Sequence, residues 1–396
     1  MALKVIIIGG VAGGASAAAR LRRLNEDMEI VLLERGEYIS FANCGLPYYI
    51  GNVIEEREKI FLMTPQKFRE WYNVDVRVNS EAISIDPARQ SVEITDRRSG
   101  KTYRENYDYL VLSPGAEPNR PPLPGIDNPA VFTLRTVSDM DRIYNFIQRH
   151  KPAAAVVVGA GSIGLEMAEN LQARGIAVTL VELSSQVLPF LDPEMAALVQ
   201  QHLREKGVSL HLNDGAAMFE ETDGPGVAVT LRSGKKLVPG PVILAAGVKP
   251  ELKLARDAGL DVGKGIRVNR YLQTSQPNIY ALGDAIEVID FVTGAPALIP
   301  LAGPANKQAR IVANNISGRR EEYSGTQGTA ILKVFDLTVA ATGVAERALK
   351  QAGSPCKHCI IHPGSYAGYY PGSSPMALKL IFDLEGRILG AQAVGS

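Results

Sequence analysis

The sequence predicts an α/β fold in which two doubly wound units share one chain and a smaller α+β unit follows them. Three observations carry that prediction. The chain repeats itself once: Val5-Ile6-Ile7-Ile8-Gly9-Gly10-Val11-Ala12-Gly13-Gly14 returns as Ala155-Val156-Val157-Val158-Gly159-Ala160-Gly161-Ser162-Ile163-Gly164, with position 159 standing 150 residues after position 9. Each copy runs from a β-branched strand through a glycine turn into an Ala/Leu/Arg-rich helical stretch, then into a second apolar run that ends on an acid, Ile30 to Glu34 and Val178 to Glu182. Beyond Tyr323 the pattern changes to short strand-like runs around one helical stretch. The repeated unit is a βαβ element of Rossmann-like type.

Composition narrows the function classes. The 396 residues are 46% hydrophobic and carry 42 basic against 42 acidic side chains, the balance of an ordinary soluble protein of two or three domains. No basic face is available for nucleic acid, so an anionic ligand must be held by local helix ends and single arginines. Three cysteines in a chain of this length argue against a disulfide framework and for a reducing compartment, with the cytoplasm as the expected location. The opening Met-Ala-Leu-Lys-Val-Ile-Ile-Ile flows into a glycine loop, unlike a signal peptide, and no stretch is long enough to span a membrane.

Taken in chain order, the first loop reads Gly9-x-Val11-x-x-Gly14, with valine where the fingerprint has its middle glycine, and Glu34 follows 20 positions after Gly14. Then comes Ser40-Phe41-Ala42-Asn43-Cys44-Gly45-Leu46-Pro47-Tyr48-Tyr49, in which Cys44 has no second cysteine beside it. Asn43 as a helix cap and Pro47 at an early helical position would set the sulfur at a helix N-terminus, where the partial positive charge favours thiolate. The alternative is a buried thiol acting as a small hydrophobe. The Pro/Gly-dense segment 113–125 reads as a crossover and sets the first boundary. The expected domains are 1–114 (nucleotide-binding, first part), 115–245 (second nucleotide-binding domain), 246–322 (first domain, second part) and 323–396 (interface).

The second loop has the full spacing, Gly159-x-Gly161-x-x-Gly164: a tight turn, a Cβ-free approach for a pyrophosphate, and close helix packing. Glu182, 18 positions after Gly164, would accept hydrogen bonds from a ribose 2′-hydroxyl and repel a 2′-phosphate, so NADH is expected over NADPH. Two dinucleotide sites in one chain imply electron relay. The run Ile279 to Leu282 leads into Gly283-Asp284, placing a carboxylate at a strand's C-terminal end, where it would meet a flavin's ribityl hydroxyls or simply close a turn. In the last unit, strands are expected at Ile331 to Phe335, Met376 to Phe382 and Ile388 to Val394, and a helix at Ala345 to Ala352. Cys356-Lys357-His358-Cys359 has CxxC spacing with His362 nearby, but strand packing accounts for it, so no metal site is expected. No histidine is nominated for acid–base work.

The Cys44 run, both glycine fingerprints, Ser113-Pro114-Gly115-Ala116 and Ala281-Leu282-Gly283-Asp284 together resemble the single-cysteine pyridine nucleotide:disulfide oxidoreductases over essentially the whole chain. Asn43-Cys44-Gly45-Leu46-Pro47-Tyr48 and Gly368-Tyr369-Tyr370-Pro371-Gly372 look most like the coenzyme A disulfide reductases and NADH-dependent persulfide reductases. The resemblance implies FAD on Gly9, Gly14, Glu34, Ser113 and Asp284, and NADH on Gly159, Gly161, Gly164 and Glu182 with Glu166 near the nicotinamide. It makes Cys44 the redox centre with Asn43 beside it. Arg23, assisted by Arg20, and Ser40 become coenzyme A contacts, against the plainer reading of Arg20 to Arg23 as a solvated basic face. Tyr369 becomes a hydroxyl that reaches the thiol site of a partner subunit in a homodimer. It also implies a helical segment beyond Ser396, so the C-terminal domain is expected to be truncated, and in some relatives a rhodanese domain follows. The implied activity is NADH-driven reduction of a small coenzyme A disulfide or persulfide. Two alternatives are an NADH oxidase or peroxidase cycling through a Cys44 sulfenic acid, and a redox-sensing electron carrier.

Overall fold

The computed structural model describes residues 2–396, which fold as two compact units. The first gathers the chain up to Ala42 with Glu58–Glu117 and Lys249–Thr326; the second gathers Asn43–Arg57, Pro118–Val248 and Gln327–Ser396.

In the first unit a parallel sheet runs, in spatial order, Ile279–Ala281, Tyr109–Leu112, Lys4–Ile8, Glu29–Glu34 and Asp75–Val78. Its strands are continuous apolar runs because both faces are covered; Val5, Ile6 and Ile7 are wholly buried. The Ala12–Leu24 helix packs on the Ala302–Ile316 helix, and the buried Ala15, Ala18, Ala305 and Ala309 are small enough to let two backbones approach closely. Strand order reverses on either side of Lys4–Ile8. The loops after Ile8 and Leu112 therefore open a crevice at the carboxyl ends of the strands, where open α/β sheets bind ligands. A side sheet of Ser80–Asp86, Ser91–Asp96 and Thr102–Asn106 is an antiparallel excursion absent from the sequence expectations.

The second unit repeats the plan with Ser209–His211, Ala177–Val181, Ala154–Val158, Val242–Leu244 and Val131–Phe132, all parallel. Val157 pairs with Leu180 and Ile243 as Ile7 pairs with Leu32 and Val111, so the duplication extends to register. The same unit carries an antiparallel sheet ordered Ala330–Val334, Leu337–Gly343, Ile388–Gly395, Met376–Phe382 and Lys357–Ile361. Three of these strands, and the Glu346–Gln351 helix, match the expected runs within a residue. Leu337–Gly343, with Val339 its one buried side chain, and the mostly exposed Lys357–Ile361 lack the alternation that marks a half-buried strand.

The short segment Asn43–Arg57 is bound into the second unit by side chains from two helices. Val137–His150 begins with a capping box, in which Thr136 and Asp139 each satisfy the other's backbone amide. From this helix Asp141 takes both Nε and Nη2 of Arg57, at 2.9 and 2.7 Å, and Tyr144 sits 4.9 Å from the Tyr49 ring. From the other side the Arg174 guanidinium donates to the Ile50 carbonyl at 3.0 Å. No helix among the described residues is long and apolar enough to cross a membrane.

Candidate active site

The two glycine loops are built alike. Gly9 and Gly159 take φ of +100° and +106°, where a Cβ would meet the carbonyl of Ser113 at 2.0 Å or of Ala245 at 2.3 Å. Gly14 and Gly164 face those first glycines so closely that a Cβ would stand 1.8 and 1.9 Å from the carbonyl oxygens of Gly9 and Gly159. Each loop also leans on its acid: Glu34 accepts from the amides of Gly10 (2.9 Å) and Gly36 (2.7 Å), and Glu182 from those of Ala160 (2.7 Å) and Ser184 (2.8 Å). A carboxylate fixed by two amides keeps lone pairs for a further donor, as a ribose hydroxyl would be.

The loops differ at their middle position. A Cβ on Gly161 would meet nothing within 4 Å, so the backbone is bare on that side and suits a pyrophosphate laid against the start of the Ser162–Ala173 helix. In the first loop Val11 occupies the place, half-buried, and the Ala12–Leu24 helix begins directly after it. There the space is kept by Gly13, where a Cβ would clash with Leu282 at 2.2 Å and approach the Ser113 hydroxyl at 2.9 Å. Asp284 lies in a 3₁₀ turn, Gly283–Ala285, just after the Ile279–Ala281 strand, and Gln308 accepts from the Gly283 amide at 2.7 Å. Gly9, Gly14, Ser113 and Asp284 thus share one strand-end crevice in the first unit, while Gly159, Gly161, Gly164 and Glu182 form its counterpart in the second. Both cradles fit a dinucleotide.

Cys44 is a free, exposed thiol, as are Cys356 and Cys359 with lesser or similar exposure. Pro47 stands at an early helical position, as expected, but the setting corrects the expectation of an Asn43 cap and of a thiol tipped toward thiolate. Asn43, Cys44 and Gly45 form a 3₁₀ turn, and the following Leu46–Ile50 helix has Gly45, not Asn43, at its cap position with no side-chain bond. Five residues give little dipole. Although the residue is exposed, its sulfur is partly desolvated by neighbouring groups, and this first, then the Glu166 carboxylate, pushes the thiol up from its ordinary value. Glu166 is itself raised to about 7, first by burial and then by Glu169, one turn along the same helix. Tyr48 is lifted to about 12 by burial and by Glu166, Glu169 and Cys44. The sequence alone could not show that Glu166 faces this turn; the signal it does hold is the glycine at position 51, which lets a helix come close. A Cβ there would be 2.1 Å from the Asn170 Oδ1, and Asn170 donates to the Glu166 carbonyl at 2.8 Å.

The remaining candidates are dispersed. Arg20 spends Nε and Nη2 on Asn314 Oδ1, at 3.1 and 3.0 Å, and so serves the packing of its helix. Arg23 is exposed, its guanidinium 5.6 Å from the Tyr72 ring centroid, and stays open to an anion. Ser40 is half-buried at φ +46° and donates its amide to the Gly10 carbonyl at 2.9 Å. Tyr369 is 92% exposed beside Tyr366 and Tyr370, so the fold does not bury it against Cys44. Among the described residues, Glu194, Glu346 and His358 bring ligand atoms within 4.8 Å of one another. The Lys379 ammonium already lies among those acids, bonded to Glu194 and to Glu346 at 2.7 Å.

Comparison with known proteins shows the same assembly elsewhere. Residues 3–303 match the family described as pyridine nucleotide-disulphide oxidoreductase. The NADH oxidase of Methanocaldococcus jannaschii is 37% identical over 395 residues, covering 99% of this chain and 88% of the relative. The coenzyme A disulfide reductase of Staphylococcus haemolyticus is 37% identical over 396 residues, again 99% and 88%. The crystal structure of reduced CoADR-RHD from Bacillus anthracis superposes with a TM-score of 0.97 at 50% identity, over 100% of this chain and 71% of that one.

Proposed function

The chain belongs to the pyridine nucleotide-disulphide oxidoreductase family, and on that premise we propose that it uses FAD and NADH to reduce the disulfide or persulfide of coenzyme A through Cys44. One observation carries the reading: an exposed cysteine, with no second cysteine beside it in its turn, is mounted on a segment bound to the helix that opens at the Gly159–Gly164 loop. A lone thiol has no internal partner for a disulfide, so the sulfur it exchanges with comes from the substrate.

Gly9, Gly14, Ser113, Glu34 and Asp284 would hold FAD, and Gly159, Gly161, Gly164 and Glu182 would hold NADH. Bound there, the flavin supplies the two-electron step between nicotinamide and sulfur. The rest falls to the chain. Glu182, with both oxygens fixed by backbone amides, selects a free ribose 2′-hydroxyl and disfavours a 2′-phosphate. Cys44, as thiolate, attacks the substrate sulfur; the Cys44–S bond forms as the substrate's S–S bond breaks, and the leaving sulfur departs with the electron pair. Arg23 offers charge for coenzyme A phosphates. Tyr369, standing in solvent with two other tyrosines, is the group we assign to the thiol site of a second copy in a homodimer, where its hydroxyl would donate to the leaving thiolate.

The test is mass spectrometry of the purified protein under denaturing, non-reducing conditions, with its visible spectrum recorded first. A flavin spectrum together with a reducible coenzyme A adduct on Cys44 is expected, and Cys44→Ser should keep the flavin while losing disulfide reduction. Undiminished reduction of coenzyme A disulfide by Cys44→Ser would refute the proposal. The equal identity to an NADH oxidase supports a second reading, with oxygen or peroxide as acceptor and a Cys44 sulfenic acid. Consumption of acceptor with no thiol product would favour it.

A further inference from the structure

The strand that leads to Glu182 is followed by Leu183-Ser184-Ser185, a stretch with no basic side chain of its own. The fold supplies one from a distant turn. Glu182 donates its amide to the His211 carbonyl at 2.7 Å, and its own carbonyl accepts from the Asp214 amide at 3.2 Å, which lays residues 211–215 along this stretch. Arg232, in the turn that leaves the Val227–Leu231 strand, donates its amide to the Gly215 carbonyl at 2.8 Å. At Gly215 two side chains converge: a Cβ built there would stand 3.2 Å from Leu183 Cδ1 and 3.4 Å from Arg232 Nε. An exposed arginine therefore flanks the residue directly after the ribose acid.

We propose that Arg232 is the second determinant of nucleotide choice: its guanidinium meets a ribose 2′-phosphate, so that Glu182 and Arg232 act in opposite directions on NADPH while Glu182 alone bears on NADH. The assignment rests on the reading of the Gly159–Gly164 loop and Glu182 as the nicotinamide dinucleotide site. Dinucleotide folds meet a 2′-hydroxyl with an acid at this position and a 2′-phosphate with a nearby arginine, and this chain holds both. The other charges around the turn are engaged. Lys236 pairs with Glu220 at 3.1 Å, and Lys235 Nζ lies 3.4 Å from His211 Nε2. Asp214 turns Oδ1 to the amides of Gly215 and Ser233, at 2.9 and 3.2 Å. The guanidinium is also the better match in kind, since its planar fork bonds two phosphate oxygens at once where an ammonium is a point charge.

The two groups differ in how they are held. Glu182 has both oxygens fixed by the amides of Ala160 and Ser184, so its charge stays at the ribose whichever nucleotide arrives. Arg232 is fixed only through its backbone and its contact beside Leu183, and an exposed side chain of this length can follow a phosphate. The chain prefers NADH, and Arg232 sets how far NADPH is tolerated.

The experiment is isothermal titration calorimetry of NADP⁺ and NAD⁺ into the oxidised flavoprotein, for wild type, Arg232→Ala, Arg232→Lys and Glu182→Gln. Arg232→Ala should weaken NADP⁺ about tenfold, the scale of one charge-assisted contact, and leave NAD⁺ unchanged. Arg232→Lys, which keeps the charge and loses the fork, should fall between. Glu182→Gln should tighten NADP⁺, and adding Arg232→Ala to it should undo that gain. If wild type binds NADP⁺ too weakly to titrate, the same comparison is made in the Glu182→Gln background, where the carboxylate no longer opposes the phosphate. An unchanged NADP⁺ affinity on loss of Arg232, or an equal loss for NAD⁺ as stacking on the shared adenine would give, overturns the assignment. Because binding is read with no acceptor present, this failure is distinct from that of the proposed function, which falls if Cys44→Ser still reduces coenzyme A disulfide.

Discussion

Lys379 Nζ lies 3.0 Å from the Asp192 carboxylate, and the two side chains are 0% and 1% exposed. Asp192 precedes the Pro193–Glu205 helix and also accepts from the Gln392 amide at 2.8 Å and from the backbone of Glu346 and Arg347 at 3.1 and 2.9 Å. Burial alone would push the ammonium down, yet the hydrogen bonds it donates to Glu194, Glu346 and Asp192 hold it above its ordinary value. The network ties the antiparallel C-terminal sheet to that helix. Removing the ammonium leaves the buried Asp192 and Glu346 carboxylates without their shared cation, which costs roughly 3–5 kcal/mol, whereas the exposed Glu194 returns to water. Lys379→Met should therefore bring forward the urea midpoint of the transition that unfolds the second unit; an unchanged midpoint would show that the network holds nothing.

Acid should undo the same network through Glu346. Burial pushes this carboxyl up, but Lys350 at 2.5 Å, Lys379 at 2.7 Å and His358 at 3.0 Å outweigh it and bring it down to about 2. A carboxyl depressed in the folded state stabilises fully above its ordinary value of 4.5, and that contribution is lost as pH falls toward about 2. Thermal midpoints measured across this window should fall with pH in wild type and fall less steeply in Glu346→Gln.

The glycine loops allow the two nucleotide sites to be separated. At Gly14 and Gly164 a Cβ would press on backbone carbonyls at 1.8 and 1.9 Å, and backbone cannot swing aside as a side chain does. Gly14→Ala is expected to yield protein without its flavin spectrum. Gly164→Ala should keep the flavin and lose its reduction by NADH, read as absent bleaching in stopped-flow absorbance. A Gly164→Ala protein bleached at the wild-type rate would mean that this loop does not hold the nicotinamide nucleotide.

Both loops, their acids and the strand leading to Asp284 were legible in the sequence because a parallel strand buried on both faces reads as an uninterrupted apolar run and the turn after it needs glycine. Leu337–Gly343 was not, since it does not alternate between core and solvent, whereas Lys357–Ile361 was signalled only by the strand-like run around Ile360 and Ile361. The state of Cys44 was the larger miss. Asn43 and Pro47 satisfy the residue preferences of a capped helix, but local spacing cannot reveal the desolvation of the sulfur by groups from elsewhere in the fold or the charge of Glu166 on a distant helix.

The contact between Gly51 and Asn170 gives a test of that distant helix's hold on Cys44. Asn170 is wholly buried, its Oδ1 has no hydrogen-bond partner, and a Cβ at Gly51 would stand 2.1 Å from it. Gly51→Ala must then push either the amide or the Asn43–Arg57 segment away. Shifting a reacting group by about 1 Å can cost on the order of 10²-fold in rate. We expect kcat/KM for coenzyme A disulfide to fall by roughly tenfold or more within that range, with flavin content and flavin reduction by NADH unchanged. Trimming the neighbour should relieve part of the effect, because Asn170→Ala removes the Oδ1 and Cγ that the new methyl meets at 2.1 and 2.7 Å and leaves only the Cβ at 2.8 Å. The double variant Gly51→Ala/Asn170→Ala is therefore predicted to turn over faster than Gly51→Ala alone, a coupling that independent sites do not show. Equal losses in the single and double variants would mean that Cys44 does not depend on this helix for its position.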